Sequence, residues 1–212
     1  MWGLTRTTIV MAATVALPVL TVSPAPAVAG PTGVTLKVVA ENGSGCPPKR
    51  TNVSLLLGNE TIVIDYDPDA FTAYVGGDSA PVDFRKKCGL SLLISTPAQF
   101  TFGIREVNYE LYAALAQGSS GHLRTNYEFS EMPTRTPHTF DIRGPFSHRW
   151  EISDVEETGS VAYKPCGEDR LLAINTEIRV IRGTSDPMEV SYLSMTTVDA
   201  RTWYRLAWKT CP

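Results

Sequence analysis

The sequence predicts an all-β protein: a single antiparallel β-sandwich with a jelly-roll or Greek-key path and two disulfides. Three observations predict it. Apolar and polar residues alternate in short runs from Pro31 onward, turn residues break those runs roughly every 8–12 positions, and four cysteines follow an export-type leader. About ten to twelve short strands and no helix are expected on that pattern.

Residues 1–29 read as a signal peptide. Arg6 supplies the positive charge, residues 8–22 are mostly apolar, and Ala27-Val28-Ala29 is a small-x-small cleavage site before Gly30. The apolar run holds Pro18 and falls short of the roughly 20 residues a helix needs to cross a bilayer. No second apolar stretch follows, no cysteine sits where a lipid would be attached, and one arginine stands where a paired-arginine signal would need two. A secreted, extracellular product with no membrane span in the mature chain is therefore expected, with residues 30–212 forming one domain large enough to bury a core.

The strands follow in order. Val34, Leu36 and Val38 alternate with Thr35 and Lys37. Val53, Leu55 and Leu57 lead to a turn at Gly58-Asn59-Glu60, and Ile62, Ile64 and Tyr66 line one face of the returning strand, which is a hairpin pattern. Pro68 ends that strand, because proline cannot continue a ladder. Phe71, Ala73 and Val75 form a short strand broken by Gly76-Gly77, and Leu90, Leu92 and Ile94 follow Cys88.

The longest run is next. Phe100, Phe102 and Ile104 share one phase, whereas Val107, Tyr109, Leu111, Ala113 and Leu115 share the other. One extra residue in an alternation produces that jump, so a β-bulge near Arg105-Glu106 is expected. A short helix over residues 109–116, favoured by its alanines, is the competing reading. A hairpin tip at residues 117–121 then leads into Leu123, Thr125, Tyr127 and Phe129. Phe140 and Ile142 form a strand, Gly144-Pro145 turns it, and Trp150 and Ile152 begin another. Residues 154–169 read as a long loop carrying Cys166. Ile174 to Val180, residues 190–198, and Tyr204, Leu206 and Trp208 complete the set.

Cysteines 46, 88, 166 and 211 allow three pairings. Nearest-neighbour closure favours Cys46–Cys88 and Cys166–Cys211, because short loops meet first. Zinc ligation would need ligands at short spacing, such as C-x-x-C, which the chain lacks. A cysteine already paired has no thiolate to offer as a nucleophile.

Several pieces together resemble a known family. They are Gly43-Ser44-Gly45-Cys46-Pro47, the basic residues running into Cys88, Thr96-Pro97 followed by Phe100-Thr101-Phe102, Tyr127-x-Phe129, Pro165-Cys166-Gly167 with Ile174-Asn175-Thr176 behind, and Trp208-Lys209-x-Cys211. In order and spacing they are similar to the secreted family catalogued as domain of unknown function 4360, over nearly the whole mature chain. The resemblance implies a small exported protein of bacteria or fungi with four cysteines and an all-β fold. It supplies no catalytic residues.

Composition narrows the function classes. The formal net charge is −3, one unit more negative without Arg6, and no basic run exceeds Arg85-Lys86-Lys87. That excludes a nucleic-acid footprint, which needs clustered cations to displace phosphate counterions. Asp65, Asp67 and Asp69 have alternate spacing that could serve calcium, but the glycine and distal glutamate of an EF-hand loop are missing, so a solvated turn is expected. No cofactor is indicated. Ser119-Ser120-Gly121-His122 holds a hydroxyl and an imidazole, yet a triad is recognised by geometry and no G-x-S-x-G elbow is present. A hairpin tip is the plainer reading there. His138 and His148 stand alone.

Glu106, Glu110, Glu128 and Asp141 are the acids from which a glycoside hydrolase would draw its pair. Aromatic residues point to binding instead: Trp150, Trp203, Tyr204 and Trp208, with Tyr109, Tyr112 and Tyr127, could stack on sugar rings wherever they face outward. In a strand Trp203 faces opposite to Tyr204 and Trp208. The sequence therefore favours a non-catalytic extracellular module for a polysaccharide or protein ligand. A carboxylate-dependent glycosidase and a structural envelope component are the alternatives.

Overall fold

Alternation at period two becomes twelve strands in chain order: β1 (Thr35–Asn42), β2 (Asn52–Leu56), β3 (Thr61–Asp65), β4 (Thr72–Val75), β5 (Arg85–Ser95), β6 (Phe100–Leu115), β7 (Ser120–Phe129), β8 (His138–Arg143), β9 (Phe146–Val155), β10 (Leu171–Ile181), β11 (Ser191–Ser194) and β12 (Thr202–Thr210). The structure is a computed structural model that describes residues 30–56, 58–67, 69–157, 159–195 and 201–212, and no helix occurs among them. Residues 1–29, expected to be a signal peptide, lie outside the described residues, as do Leu57, Pro68 and the end of the 190–198 run.

Two antiparallel sheets make the sandwich. The first has the order β1-β5-β10-β7-β8, and the second runs β2-β3-β12-β6-β11-β4 with β9 paired to β6. β6 organises the second sheet. β9 follows one edge from Glu106 to Leu115, while the other edge carries β12 against Phe100 to Tyr109 and then β11 against Tyr112 to Ala114. β11 and β12 therefore sit in tandem along one strand.

The expected irregularity in β6 is present. Arg205 pairs with Glu106 and Leu206 with Ile104, which leaves Arg105 as the extra residue of a bulge. Even-numbered apolar residues face inward before it and odd-numbered ones after it: Phe102 and Ile104 are buried, and so are Val107, Tyr109 and Leu111. The strand reading prevails over the helix because every second side chain has a core to enter.

Expectation and structure part at the turns. Residues 117–121 do not close a hairpin, since β6 and β7 lie in different sheets, and the same is true of β8 and β9 and of β10 and β11. Among the described residues, consecutive strands pair directly at β2–β3 and β7–β8. Period two tells which face of a strand is buried but not which sheet holds it. The crossovers pack on one another: Gly144 N–H donates to Ser119 O at 2.9 Å and Thr184 N–H to Gly118 O at 3.2 Å. A Cβ on Gly144 would come within 2.0 Å of Ala116 O, so no larger residue fits there.

The inner faces meet in one apolar core containing Leu90, Leu92, Ile94, Leu123, Ile174, Ile178, Ile62, Ile64 and Leu206. A layer of hydroxyls lies inside it. Tyr109 and Tyr204 are fully buried, their rings edge-on at 6.3 Å, and Tyr127 meets Tyr204 edge-on at 6.1 Å. Tyr109 Oη donates to Thr125 Oγ1 at 3.2 Å. Burial raises the Tyr66 phenol to about 12, with the Thr176 and Thr202 hydroxyls opposing the shift. Burial likewise raises Tyr109, Tyr204 and Tyr127, the last also through its hydrogen bond to Glu156.

Both nearest-neighbour disulfides form. Cys46–Cys88 ties the chain after β1 to β5, and Cys166–Cys211 ties the loop after β9 to the end of β12. At the first, Gly45 N–H donates to Lys87 O at 2.7 Å. Gly43 adopts φ +123°, and a Cβ there would come within 2.2 Å of Lys87 O. Loop closure gives each bridge about 4 kcal/mol.

The bridges differ in access, and this sets a prediction. Cys46 and Cys88 are 0% and 3% exposed, whereas Cys166 is exposed. Graded reduction followed by alkylation mapping should open Cys166–Cys211 first, because exchange requires contact with the attacking thiolate. Opening of Cys46–Cys88 first would contradict the packing.

The buried phenols set a second prediction. Unfolded tyrosines ionise near pH 10, while these four hold their protons to higher pH in the fold. Their contribution to stability is whole below about pH 10 and is lost as pH rises through the folded values. Phenolate absorbance should therefore rise in a cooperative step that coincides with loss of near-ultraviolet circular dichroism. A gradual titration of all eight tyrosines with the fold intact would count against the buried layer.

Candidate functional site

The bulge at Arg105 that turns Tyr109 inward also turns Glu106, Asn108 and Glu110 outward. β12 brings Trp203 directly opposite Asn108, and β9 brings Ser153 opposite Asn108 and Glu151 opposite Glu110. Asn108, Glu110, Glu151, Ser153, Trp203 and Arg205 line an open groove of about 440 Å³ on the outer face of the seven-stranded sheet. Val63, in register with Trp203 on that outward side, is 1% exposed. Ser54 is its other cross-strand neighbour.

Charge inside the groove is paired. Arg149 Nη1 lies 3.8 Å from Glu110 Oε2 and 4.0 Å from Glu151 Oε1, so one guanidinium serves both carboxylates. Arg205 Nε lies 3.6 Å from Glu106 Oε2, and Asn108 Nδ2 donates to Glu106 Oε1 at 2.9 Å. Two more rings stand on the same face: Tyr112 and Tyr192 stack with centroids 6.0 Å apart. Tyr112 is four residues on from Asn108, roughly 13 Å along the strand.

The four aromatic candidates separate. Trp203 faces the groove. Tyr204, on the next residue and the opposite face, is 0% exposed and cannot reach a surface ligand. Trp208 tilts against Phe102 at 5.5 Å and donates its indole N–H to Asn59 O at 3.0 Å. Trp150 stands opposite the inward Leu111 and is half-buried against the core. Tyr109 and Tyr127 are core residues, whereas Tyr112 faces out.

The carboxylates separate as well. Glu106 and Glu110 lie on the groove face, while Glu128 and Asp141 lie on the outer face of the other sheet. Asp65 takes Arg201 at 3.1 Å and Asn52 at 3.3 Å. Asp67 accepts from Asp69 N–H at 2.9 Å and Arg50 at 3.0 Å, and these bonds hold its carboxyl below the usual range. Among the described residues no three acidic, histidine or cysteine side chains are placed to hold a metal ion. Glu151, Ser153, Arg149 and Tyr192 were not anticipated, because nothing in one sequence reveals that β9 and β11 flank β6.

A second groove, of about 330 Å³, crosses the five-stranded sheet along the register row Asn42, Gly89, Asn175 and Asn126. Asn175 Nδ2 donates to Asn126 Oδ1 at 3.1 Å. This groove is polar and holds no aromatic ring. Among the described residues no helix is long and apolar enough to cross a membrane.

A known protein agrees with the export expected from the sequence. An uncharacterized secreted protein of Arthroderma benhamiae is 28% identical over 170 residues, covering 76% of this chain and 69% of its own. The present chain is likewise a secreted protein. Two solved structures are remotely similar. One is of deformed wing virus carrying the GFP gene, with TM-score 0.26 and 12% identity over 100% of this chain and 60% of the viral chain. The other is the enzymatically active domain of tailspike protein 4 of bacteriophage CBA120, with TM-score 0.23 and 10% identity over 85% of this chain and 20% of that one. Neither likeness carries an argument at those scores. The family is shown by its profile, which matches residues 32–211: the chain belongs to the family described as Domain of unknown function (DUF4360).

Proposed function

We propose that the protein is an extracellular binding module that holds a polysaccharide, without cleaving it, against the outer face of β12, β6 and β9. One observation carries this reading: Trp203 lines a groove together with the hydrogen-bonding side chains of Asn108, Glu110, Glu151 and Ser153. An indole offers a flat apolar surface to the C–H face of a sugar ring, and Asn108, Ser153 and the two glutamates offer partners to its hydroxyls. The Tyr112–Tyr192 stack supplies a further platform on the same face, at a distance suited to an extended chain rather than a single sugar.

Glycoside hydrolysis at this groove has one observation in its favour, since Glu110 and Glu151 stand directly opposite each other. A hydrolase needs one of its two acids protonated to serve the leaving group and the other ionised. One guanidinium engages both carboxylates, so the pair suits hydroxyl recognition better than turnover.

The test is a pull-down of the oxidised mature chain with insoluble peptidoglycan, chitin, cellulose and glucans, with released sugar assayed in the same tubes. Retention without release is expected. Trp203→Ala should weaken retention roughly tenfold or more, as for a buried aromatic anchor, while leaving a cooperative melt. Sugar release that disappears in Glu110→Gln would replace binding with hydrolysis. A chain that stays in solution and releases nothing would sink the polysaccharide reading and leave a protein partner or a structural role.

A further inference from the structure

The opposite face of the sandwich carries a constellation that binding at Trp203 does not use. Ser120 and His122 project from the outer side of β7, two residues apart. Asp141 stands directly opposite His122 on β8, and Arg143 directly opposite Ser120. Ser120 Oγ is 3.0 Å from His122 Nε2. His122 Nδ1 is 2.5 Å from Asp141 Oδ1.

A carboxylate accepts but does not donate, so Asp141 fixes the imidazole tautomer with its proton on Nδ1. Nε2 is then the acceptor, and the Ser120 hydroxyl donates to it. Each of the three side chains thus takes the place that a nucleophile, a base and an orienting acid require. In the sequence the serine and histidine read as a turn and the aspartate as one surface acid among several. The adjacency of β7 and β8 brings them together.

We propose that Ser120, His122 and Asp141 form a nucleophilic serine site that transfers acyl groups from esters to water. Ser120 Oγ bonds to the acyl carbon as its proton passes to His122 Nε2. The bond to the leaving alcohol breaks, and the alcohol takes that proton. Water then adds to the acyl carbon and gives a proton to Nε2, the Ser120 ester bond breaks, Ser120 regains its proton, and a carboxylic acid departs. Arg143, in register with Ser120, is the cation available to the oxyanion of each tetrahedral stage. That charge selects esters bearing an anionic group near the reacting carbonyl.

The site is open, with Asp141 66% and His122 29% exposed at the side chain. Openness suits an acyl group displayed on a polymer, and it also predicts slow turnover, because charges in water stabilise a transition state less than charges in a closed cavity. The bland alternative is a row of cross-strand hydrogen bonds on a sheet surface, which would leave Ser120 unreactive.

The experiment uses the oxidised mature chain and a fluorophosphonate probe, read by intact mass and peptide mapping. One adduct per chain on Ser120 is expected. It should be absent in Ser120→Ala and form at least tenfold more slowly in His122→Ala and Asp141→Asn, each with an unchanged melting temperature. No adduct on Ser120, or an adduct that forms equally fast without His122, overturns the proposal.

Discussion

A single extra residue in the longest strand fixes both sides of the second sheet. Without the bulge at Arg105, the two halves of β6 could not both bury their large residues: Phe102 and Ile104 share one phase, and Val107, Tyr109 and Leu111 the other. A one-residue slip would expose Tyr109 and drive Asn108 and Glu110 into the core. The core therefore enforces the groove. Trp203 acquires its polar neighbours because β12 shifts its register by one residue at the bulge, with Arg205 on Glu106 and Leu206 on Ile104.

The hydroxyl layer and the disulfides hold that register from two directions. Tyr109 Oη donates to Thr125 Oγ1 across the core, and the edge-on contacts of Tyr204 with Tyr109 and with Tyr127 of the other sheet help fix how the sheets face each other. Cys166–Cys211 secures the loop that covers the start of β6, where Thr101 Oγ1 donates to Lys164 O and Lys164 N–H donates to Phe102 O. Glu156 pins the same loop from its other end: its carboxylate accepts from Tyr127 and from Arg135 at 2.6 Å.

Fold class, disulfide pairing, the bulge and the opposite facing of Trp203 and Tyr204 were legible in the sequence, since each follows from local alternation or loop length. Sheet membership was not. The turn at residues 117–121 has hairpin chemistry but links strands in different sheets, because Gly144 and Gly183 leave room for three crossovers to nest at one end. The same limit hid the chemistry. Trp150, Tyr204 and Trp208 have the composition of a binding strip yet belong to the core or its margin, while Glu151 and Tyr192 join the groove through pairings with β6 that no spacing announces. Ser120 and His122 were visible as a pair, and their aspartate was visible alone. Only the β7–β8 pairing makes them one unit.

Two faces of this secreted sandwich stand out: a groove lined by Trp203 on one side and a hydrogen-bonded serine, histidine and aspartate on the other. The claim that most needs testing is that Trp203 meets the ligand. An ¹⁵N-indole spectrum of the mature chain, titrated with soluble oligosaccharides, resolves its tryptophans separately. The Trp203 N–H signal should shift on titration while that of Trp208, bonded to Asn59 O, stays fixed. A Trp203 signal that stays still while saturation is reached at another residue would contradict the account.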